Sequence, residues 1–119
     1  MHQMRYLKLA SVIALLEAGV LAHLWLSQGP VLLSQPNGSR QFIGQVVTRR
    51  DFPYLSVQAY LEVRASGNGA LRQRHFLLAG DQFQDLADEI RSLEWREDSI
   101  ALDIQSAQYS GPPTFVISE

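Results

Sequence analysis

The sequence contains no cysteine, and Lys8 is its only lysine. Without a thiol the chain can form no disulfide, no cysteine-ligated zinc or iron–sulfur centre and no thiol nucleophile. The formal net charge is only −2 over 119 residues, which gives no indication of a nucleic-acid-binding protein. A chain of this length accommodates one modest domain together with one further segment.

Catalytic motifs are missing as well. There is no phosphate-binding loop or dinucleotide fingerprint, and no serine lies in a Gly-x-Ser-x-Gly context. His75 is the only histidine of the C-terminal part and lies in an alternating segment typical of a strand. The acidic residues after Gly80 lack the spacing of a calcium-binding loop. We therefore predict a non-catalytic protein without cofactor or metal, with an enzyme as a remote alternative.

One long apolar run is present, from Leu9 to Leu26. As a helix its eighteen residues would span roughly 27 Å, about the thickness of a hydrocarbon core. Arg5 and Lys8 precede the run, and no basic residue follows before Arg40. This bias predicts a single-pass membrane protein with its N-terminus in the cytoplasm. A cleaved signal peptide and a buried helix of a soluble core are the alternatives.

The predicted organisation follows from this run. Residues 1–8 form a cytoplasmic N-terminus, and residues 9–28 form a transmembrane helix that acts as a signal anchor. Residues 29–39 are a linker rich in turn formers, and residues 40–119 are an extracytoplasmic, β-rich domain. The predicted location is the inner, or cytoplasmic, membrane, with the C-terminal domain in the periplasm.

Two polar residues interrupt the apolar run. Glu17 lies at its middle and His23 near its end, and a separation of six residues turns their side chains about 120° apart, so they cannot pair within one helix. Gly19, on the same face as His23, allows close approach of another helix. We predict that Glu17, Gly19 and His23 pack against a homodimer partner or another membrane protein. A neutralised carboxyl without a partner is the alternative for Glu17.

After residue 40 the apolar pattern changes to a period of two. The clearest strand is "LSVQAYLEVR", in which Leu55 and every second residue after it face one side. Further strands are predicted at residues 41–48, 71–80, 92–96, 99–105 and 114–118, the last at a sheet edge. Residues 81–90 form a short amphipathic helix with Asp81 as its N-cap. The predicted fold is an N-terminal transmembrane helix followed by a small antiparallel meander or sandwich-like domain of about six strands.

The turn "SGNG" joins two of these strands and leaves their register open. A two-residue turn at Asn68-Gly69 places Glu62 opposite His75. A three-residue loop over 67–69 places Glu62 opposite Arg74. Either pair would be an ordinary cross-strand contact, worth a few tenths of a kcal/mol.

Charge is unevenly distributed along the β-rich part. Residues 40–74 carry six arginines against two acids, and residues 75–119 carry nine acids against two arginines. Folding either pairs these charges internally or leaves two separate docking surfaces. The predicted interaction surface comprises Arg49, Arg50, Arg72, Arg74, Asp81, Asp85 and Asp88.

The main functional interpretation is a membrane-anchored accessory or interaction protein. The segments "FLLAGDQF" and "EIRSLEW" resemble the small periplasmic β domain of inner-membrane proteins in type II secretion and pilus machines, where one N-terminal helix precedes a six-strand domain. This resemblance implies an alternative function as a subunit of a larger envelope-spanning complex, packed through its helix. An energy-transducing membrane complex is a further form of that alternative. No nucleic-acid partner is expected.

Overall fold

The computed structural model describes residues 2–117, with side chains described from residue 11 onward. An N-terminal helix, α1 (His2–Ser27), leads directly into β1 (Gln28–Pro36). The other elements are β2 (Phe42–Arg49), β3 (Val57–Ala65), β4 (Leu71–Gly80), α2 (Phe83–Glu89), β5 (Ile90–Arg96), β6 (Ser99–Ile104) and β7 (Thr114–Val116). The chain therefore forms a small, mainly-β domain with two helices.

The strands form two antiparallel sheets. The first has the order β1-β2-β3-β4 and the second the order β5-β6-β7. Consecutive strands are neighbours in both sheets because each follows its predecessor through a short turn or loop. Of the two registers that the sequence allowed after β3, the structure has the one in which Glu62 lies opposite Arg74. The final strand is at a sheet edge, as predicted.

The core lies between the two sheets and is centred on β3. The alternating residues of β3 are completely buried: Val57, Ala59, Leu61 and Val63. Leu86 of α2 and Ile100 of β6 are buried in the same cluster, so the short helix and the second sheet cover one face of the first sheet. Full burial of such side chains stabilises a fold by about 1.5–3 kcal/mol each.

The transmembrane prediction is wrong. In the described part of the chain, neither helix combines the length and the apolar character that crossing a bilayer requires. Helix α1 has 26 residues, but its sequence begins with polar residues, including Arg5 and Lys8, and Glu17 and His23 interrupt the remainder. A spanning helix needs about 20 predominantly apolar residues. The predicted signal anchor, and the inner-membrane location that was inferred from this anchor, are therefore wrong as well.

Four local predictions differ from the structure. The predicted linker is largely a strand, because Val31 and Leu33 of β1 pair with Val47 and Val46 of β2. With β1 included, the domain has seven strands rather than about six. Leu55 lies before β3 and is 80% exposed. The N-cap of α2 is Gln82, which makes no side-chain capping bond, and Asp81 precedes it.

Candidate functional site: an exposed apolar helix fixed to the β domain

The most unusual surface of the molecule is that of α1. Every residue from 11 to 26 is exposed, although the segment is composed mainly of Leu, Val, Ile and Ala. Leu16 and Trp25, for example, are 65% and 75% exposed. A helix that is apolar on all sides is normally buried. The alternative of a core helix is therefore not realised for residues 11–26, whose side chains face solvent.

The root of α1 is firmly attached to the first sheet. Ser27 is buried, and its carbonyl oxygen accepts a hydrogen bond of 3.1 Å from the backbone N–H of Arg50. The hydroxyl of Thr48 donates to the carbonyl oxygen of Pro30 at 2.7 Å. Between these bonds lies Gly29, where a Cβ atom would stand 2.4 Å from the Thr48 hydroxyl oxygen. Only glycine fits there, so the chain enters β1 along a defined path.

A second attachment lies one turn earlier on α1. The Nδ1 atom of His23 and the hydroxyl of Tyr54 are 2.6 Å apart, and their rings are tilted with centroids 5.8 Å apart. Tyr54 belongs to the loop between β2 and β3 and has a φ of +69°. That loop also exposes Phe52 and Leu55 almost completely. It therefore continues the apolar surface of α1 onto the domain.

The other two helix residues singled out from the sequence have no contact with the domain's surface. Glu17 is exposed on α1 and borders a shallow apolar depression lined also by Leu16, Val20 and Leu21. Gly19 has open space where a Cβ atom would lie. The structure thus separates His23, which anchors α1, from Glu17 and Gly19, which remain on its outward surface.

The four predicted arginines are not one cluster. Arg50 stacks over the ring of Phe83 at 4.6 Å from its centroid, which ties β2 to α2. Arg49 forms a long ion pair of 3.8 Å with Asp51. Arg72 lies 6.0 Å from the ring centroid of Phe42. These side chains support local packing in three different places.

The fourth, Arg74, belongs to a charged centre on the outer face of the first sheet. Its guanidinium donates to Glu62 at 2.8 and 2.5 Å, and Arg64 donates to the same carboxylate at 3.1 Å. Glu62 is only 4% exposed. Burial disfavours its charged form, but the hydrogen bonds and charges of Arg74 and Arg64 outweigh burial and lower the pKa of Glu62. This arrangement stabilises the sheet and leaves no open carboxylate for chemistry.

The predicted acidic residues do lie together. Asp81, Asp85 and Asp88 line a shallow groove beside α2, together with Glu89. Asp88 accepts a hydrogen bond of 2.9 Å from the side chain of Gln84. Within the described residues, no three carboxylates, histidines or cysteines converge as metal ligands do. The groove is therefore an acidic surface in which the described residues form no metal-binding site.

The ion pairs of the described residues do not connect the two charged halves of the domain. Each ion pair among residues 11–117 joins neighbours in the same half, as with Arg74 and Glu62 in the basic half and Arg96 and Glu94 in the acidic half. No pair in that range links one half to the other. The sequence left two possibilities open, namely pairing of the two halves with each other or two separate docking surfaces. Direct ion pairs between the halves do not occur among residues 11–117.

His75, the only histidine of the β domain, has a packing role. Its ring lies 4.8 Å from the ring of Phe115, and its Nε2 atom is 3.1 Å from the side-chain oxygen of Gln73. Phe115 belongs to the core cluster. The ring thus joins β4 of the first sheet to β7 of the second.

No protein-family model, curated protein or solved structure matches this chain. The geometry of α1 and its root is therefore the main indication of function. Sequence reasoning identified Glu17, Gly19 and His23 but missed Tyr54 and the exposed Phe52. The signal available for that loop was "DFPYL", which combines a proline with three large apolar or aromatic residues outside any strand pattern.

Proposed function

We propose that this chain is a non-catalytic interaction protein that associates with a second copy of itself through α1. The observation that carries the proposal is the exposure of large apolar side chains along a helix whose root is fixed by Ser27, Gly29 and His23. A rigid root supports this role because it reduces the freedom that α1 would lose on association.

One face of α1 is suited to a helix partner. Ile13, Leu16, Val20 and Leu24 recur at intervals of three or four residues and therefore share a stripe along the helix. All four are between 47% and 65% exposed. Packing this stripe against an identical stripe would remove eight large apolar side chains from water, four from each copy.

The polar residues beside the stripe favour a second copy in parallel orientation. Glu17 and His23 are each three residues from Val20, which places them about 60° to either side of it. A twofold axis parallel to the helices brings Glu17 of one copy to the same flank as His23 of the other, about 9 Å apart along the axis. An antiparallel pair centred on Val20 would put them on opposite flanks. Only the parallel arrangement therefore places the Glu17 carboxylate and the His23 imidazole of opposite copies on the same flank.

The free energy gained by burying the stripe and the free energy lost on association are of similar size. Each half-exposed Leu, Ile or Val gains about 1 kcal/mol on burial, so eight contribute roughly 8 kcal/mol. The loss of translational and rotational freedom costs about 4–15 kcal/mol. Contacts from Phe52 and Leu55 at the helix root, both almost fully exposed, supply further apolar area. We therefore expect a concentration-dependent equilibrium.

Sedimentation equilibrium of the full chain tests the proposal. The wild-type protein should associate, and Leu16→Glu should shift it to monomer because the charge would be buried in the stripe. Leu15→Glu is the matched control: Leu15 is 73% exposed but lies about 140° from Val20, outside the stripe. A wild-type chain that stays monomeric at high concentration, and binds a helix of a different protein instead, would refute self-association.

The absence of cysteine allows orientation to be tested directly. A single Ile13→Cys substitution should give a disulfide-linked dimer on oxidation, because residue 13 meets residue 13 of the other copy in a parallel pair. In an antiparallel pair centred on Val20 the same residue would lie opposite residue 27. Cross-linking by Val20→Cys but not by Ile13→Cys would therefore show an antiparallel pair and contradict the proposed orientation.

A further inference from the structure

A second candidate site lies at the opposite end of β1 from the helix root. The loop between β1 and β2, the turn between β5 and β6 and the chain after β7 together enclose a groove of about 650 Å³. Cavities that bind small groups commonly have 300–1,000 Å³. The groove is lined mainly by Asn37, Ser39, Gln41, Phe42, Trp95, Glu97, Asp98 and Ile117.

The aromatic wall of this groove has a fixed position. The indole N–H of Trp95 donates to the carbonyl oxygen of Gln35 at 2.8 Å, a bond between two residues that are 60 positions apart in sequence. Gly44 makes room for the indole, since a Cβ atom there would lie 3.4 Å from two of its atoms. The backbone N–H of Phe42 donates to the side chain of Asn37 at 3.2 Å. The Trp95 ring and the backbone of Phe42 are thus held in place without a ligand.

Both loops that border the groove contain a residue in an unfavourable backbone conformation. Arg40, in the first loop, has a φ of +58°, and Glu97, in the second, has a φ of +56°. Non-glycine residues are uncommon in this region, and those that occur are enriched at binding sites. Arg40 and Glu97 occupy these positions although glycine would suit the backbone better. This suggests that the side chains at these positions are used, for example in binding.

The residues that line the groove carry only negative charge, and the nearby cations Arg40 and Arg72 are not among them. Glu97 and Asp98 both line it, and within the described residues neither carboxylate has an ion-pair partner within 4.0 Å. The neighbouring Arg96 is paired with Glu94 at 3.6 Å, and no basic residue is among the lining side chains. Aromatic rings beside two open carboxylates attract a cation with a flat or slender organic body.

We propose that this groove binds the guanidinium group of an arginine side chain on an extended peptide segment. The planar guanidinium can stack on an aromatic ring while it donates to a carboxylate, whereas a lysine ammonium provides only a point charge. Asn37, Ser39 and Gln41 offer hydrogen-bonding groups to the adjoining peptide backbone. A neutral sugar would use the aromatic wall but leave both carboxylates without a cation. The site is independent of α1, because the nine-residue β1 separates them by roughly 30 Å.

Fluorescence provides a direct test. The chain has two tryptophans, and Trp25 lies on α1 on the face opposite Val20, so Trp25→Phe leaves Trp95 as the sole reporter in the full chain. A capped Gly-Arg-Gly peptide should change Trp95 emission in a saturable manner. The isosteric, neutral Gly-citrulline-Gly peptide should not, and Gly-Lys-Gly should bind more weakly. Free arginine should bind more weakly than the capped peptide if the backbone is also recognised.

Substitutions identify the groups responsible. Glu97→Gln and Asp98→Asn should each weaken binding of the arginine peptide roughly fivefold, a typical effect of removing one partly exposed charge. Glu94→Gln is the matched control, since this acidic residue lies on the same hairpin, outside the groove lining. No change in Trp95 emission with the arginine peptide would overturn the site. Equal binding of the citrulline peptide, or equal weakening by Glu94→Gln, would overturn it as well, because either result indicates attraction without recognition.

Discussion

His23 of α1 and Tyr54 of the β2–β3 loop lie 2.6 Å apart, nitrogen to oxygen, and this bond joins the exposed helix to the domain beyond its covalent connection. The loop adopts an unfavourable conformation to provide it, since Tyr54 has a φ of +69°. A strain of order 1–3 kcal/mol is retained only where surrounding contacts impose it. The contacts at Ser27, Gly29 and His23 together keep α1 in one direction relative to the sheets.

Removal of the Tyr54 hydroxyl should weaken the attachment of α1 to the β domain. Tyr54→Phe keeps the ring contact but loses the bond to His23, so we expect a loss of about 0.5–1.5 kcal/mol in local stability. Hydrogen exchange of backbone amides near residues 23–27 should accelerate accordingly. Tyr60→Phe, on the outer face of β3, is the control and should leave exchange in α1 unchanged. Unaltered exchange in the Tyr54→Phe protein would mean that the bond does not hold the root.

A methyl group at Gly44 should destabilise the contact between the two sheets. Its Cβ atom would lie 2.8 Å from the Cδ1 atom of Ile100 and 3.4 Å from the Trp95 indole. Such overpacking typically costs about 1–3 kcal/mol. Thermal denaturation should show a lower midpoint for Gly44→Ala and a change near zero for Gly67→Ala, where the added atom meets open space. Equal midpoints for the two variants would contradict the close approach.

The lowered pKa of Glu62 predicts a pH dependence of stability. Because the folded-state pKa lies below the unfolded value, ionised Glu62 stabilises the fold above the unfolded pKa, and this stabilisation is lost as the pH falls through the folded pKa. Glu62→Gln should therefore lower stability at pH 7 by about 1–3 kcal/mol. The difference from wild type should shrink steadily as the pH decreases below about 4.

Chemical denaturation at a series of pH values measures this difference. Glu94→Gln serves as its control, because Glu94 and Arg96 are both about two-thirds exposed and contribute little. A stability difference between wild type and Glu62→Gln that does not change between neutral and acidic pH would show that the carboxylate acts through shape rather than charge.

Much of the β domain could be predicted from local sequence patterns. The alternation in β3 identified its buried side, and the limited choice of turn lengths after it reduced the register to two possibilities. Leu55 departs from the alternation because the chain before β3 turns away at Pro53 and Tyr54. The strand β1 was not predicted because Val31, Leu32 and Leu33 are consecutive rather than alternating, and glycine and proline surround them.

The candidate sites were harder to predict because their residues are distant in sequence. The bond from Trp95 to Gln35 spans 60 residues and that between His23 and Tyr54 spans 31, and neither has a local periodic signal. The sequence predicted a spanning helix despite Glu17 and His23, and the structure contradicts the membrane span. From the sequence we predicted that Glu17, Gly19 and His23 of this helix contact a partner. The attachment of the helix to the β domain through His23 and Tyr54 is seen only in the structure.

The succession of strands in each sheet has a consequence for folding. Because β1 to β4 pair in chain order, and β5 to β7 do likewise, each sheet can form by closing short loops only. Pairing strands across short loops loses less chain entropy than pairing strands that are distant in sequence. The core that joins the two sheets contains Leu61, Leu86 and Ile100, whereas residues 11–26 of α1 are exposed in the completed fold. The surface of α1 is therefore available to another chain after the domain has folded.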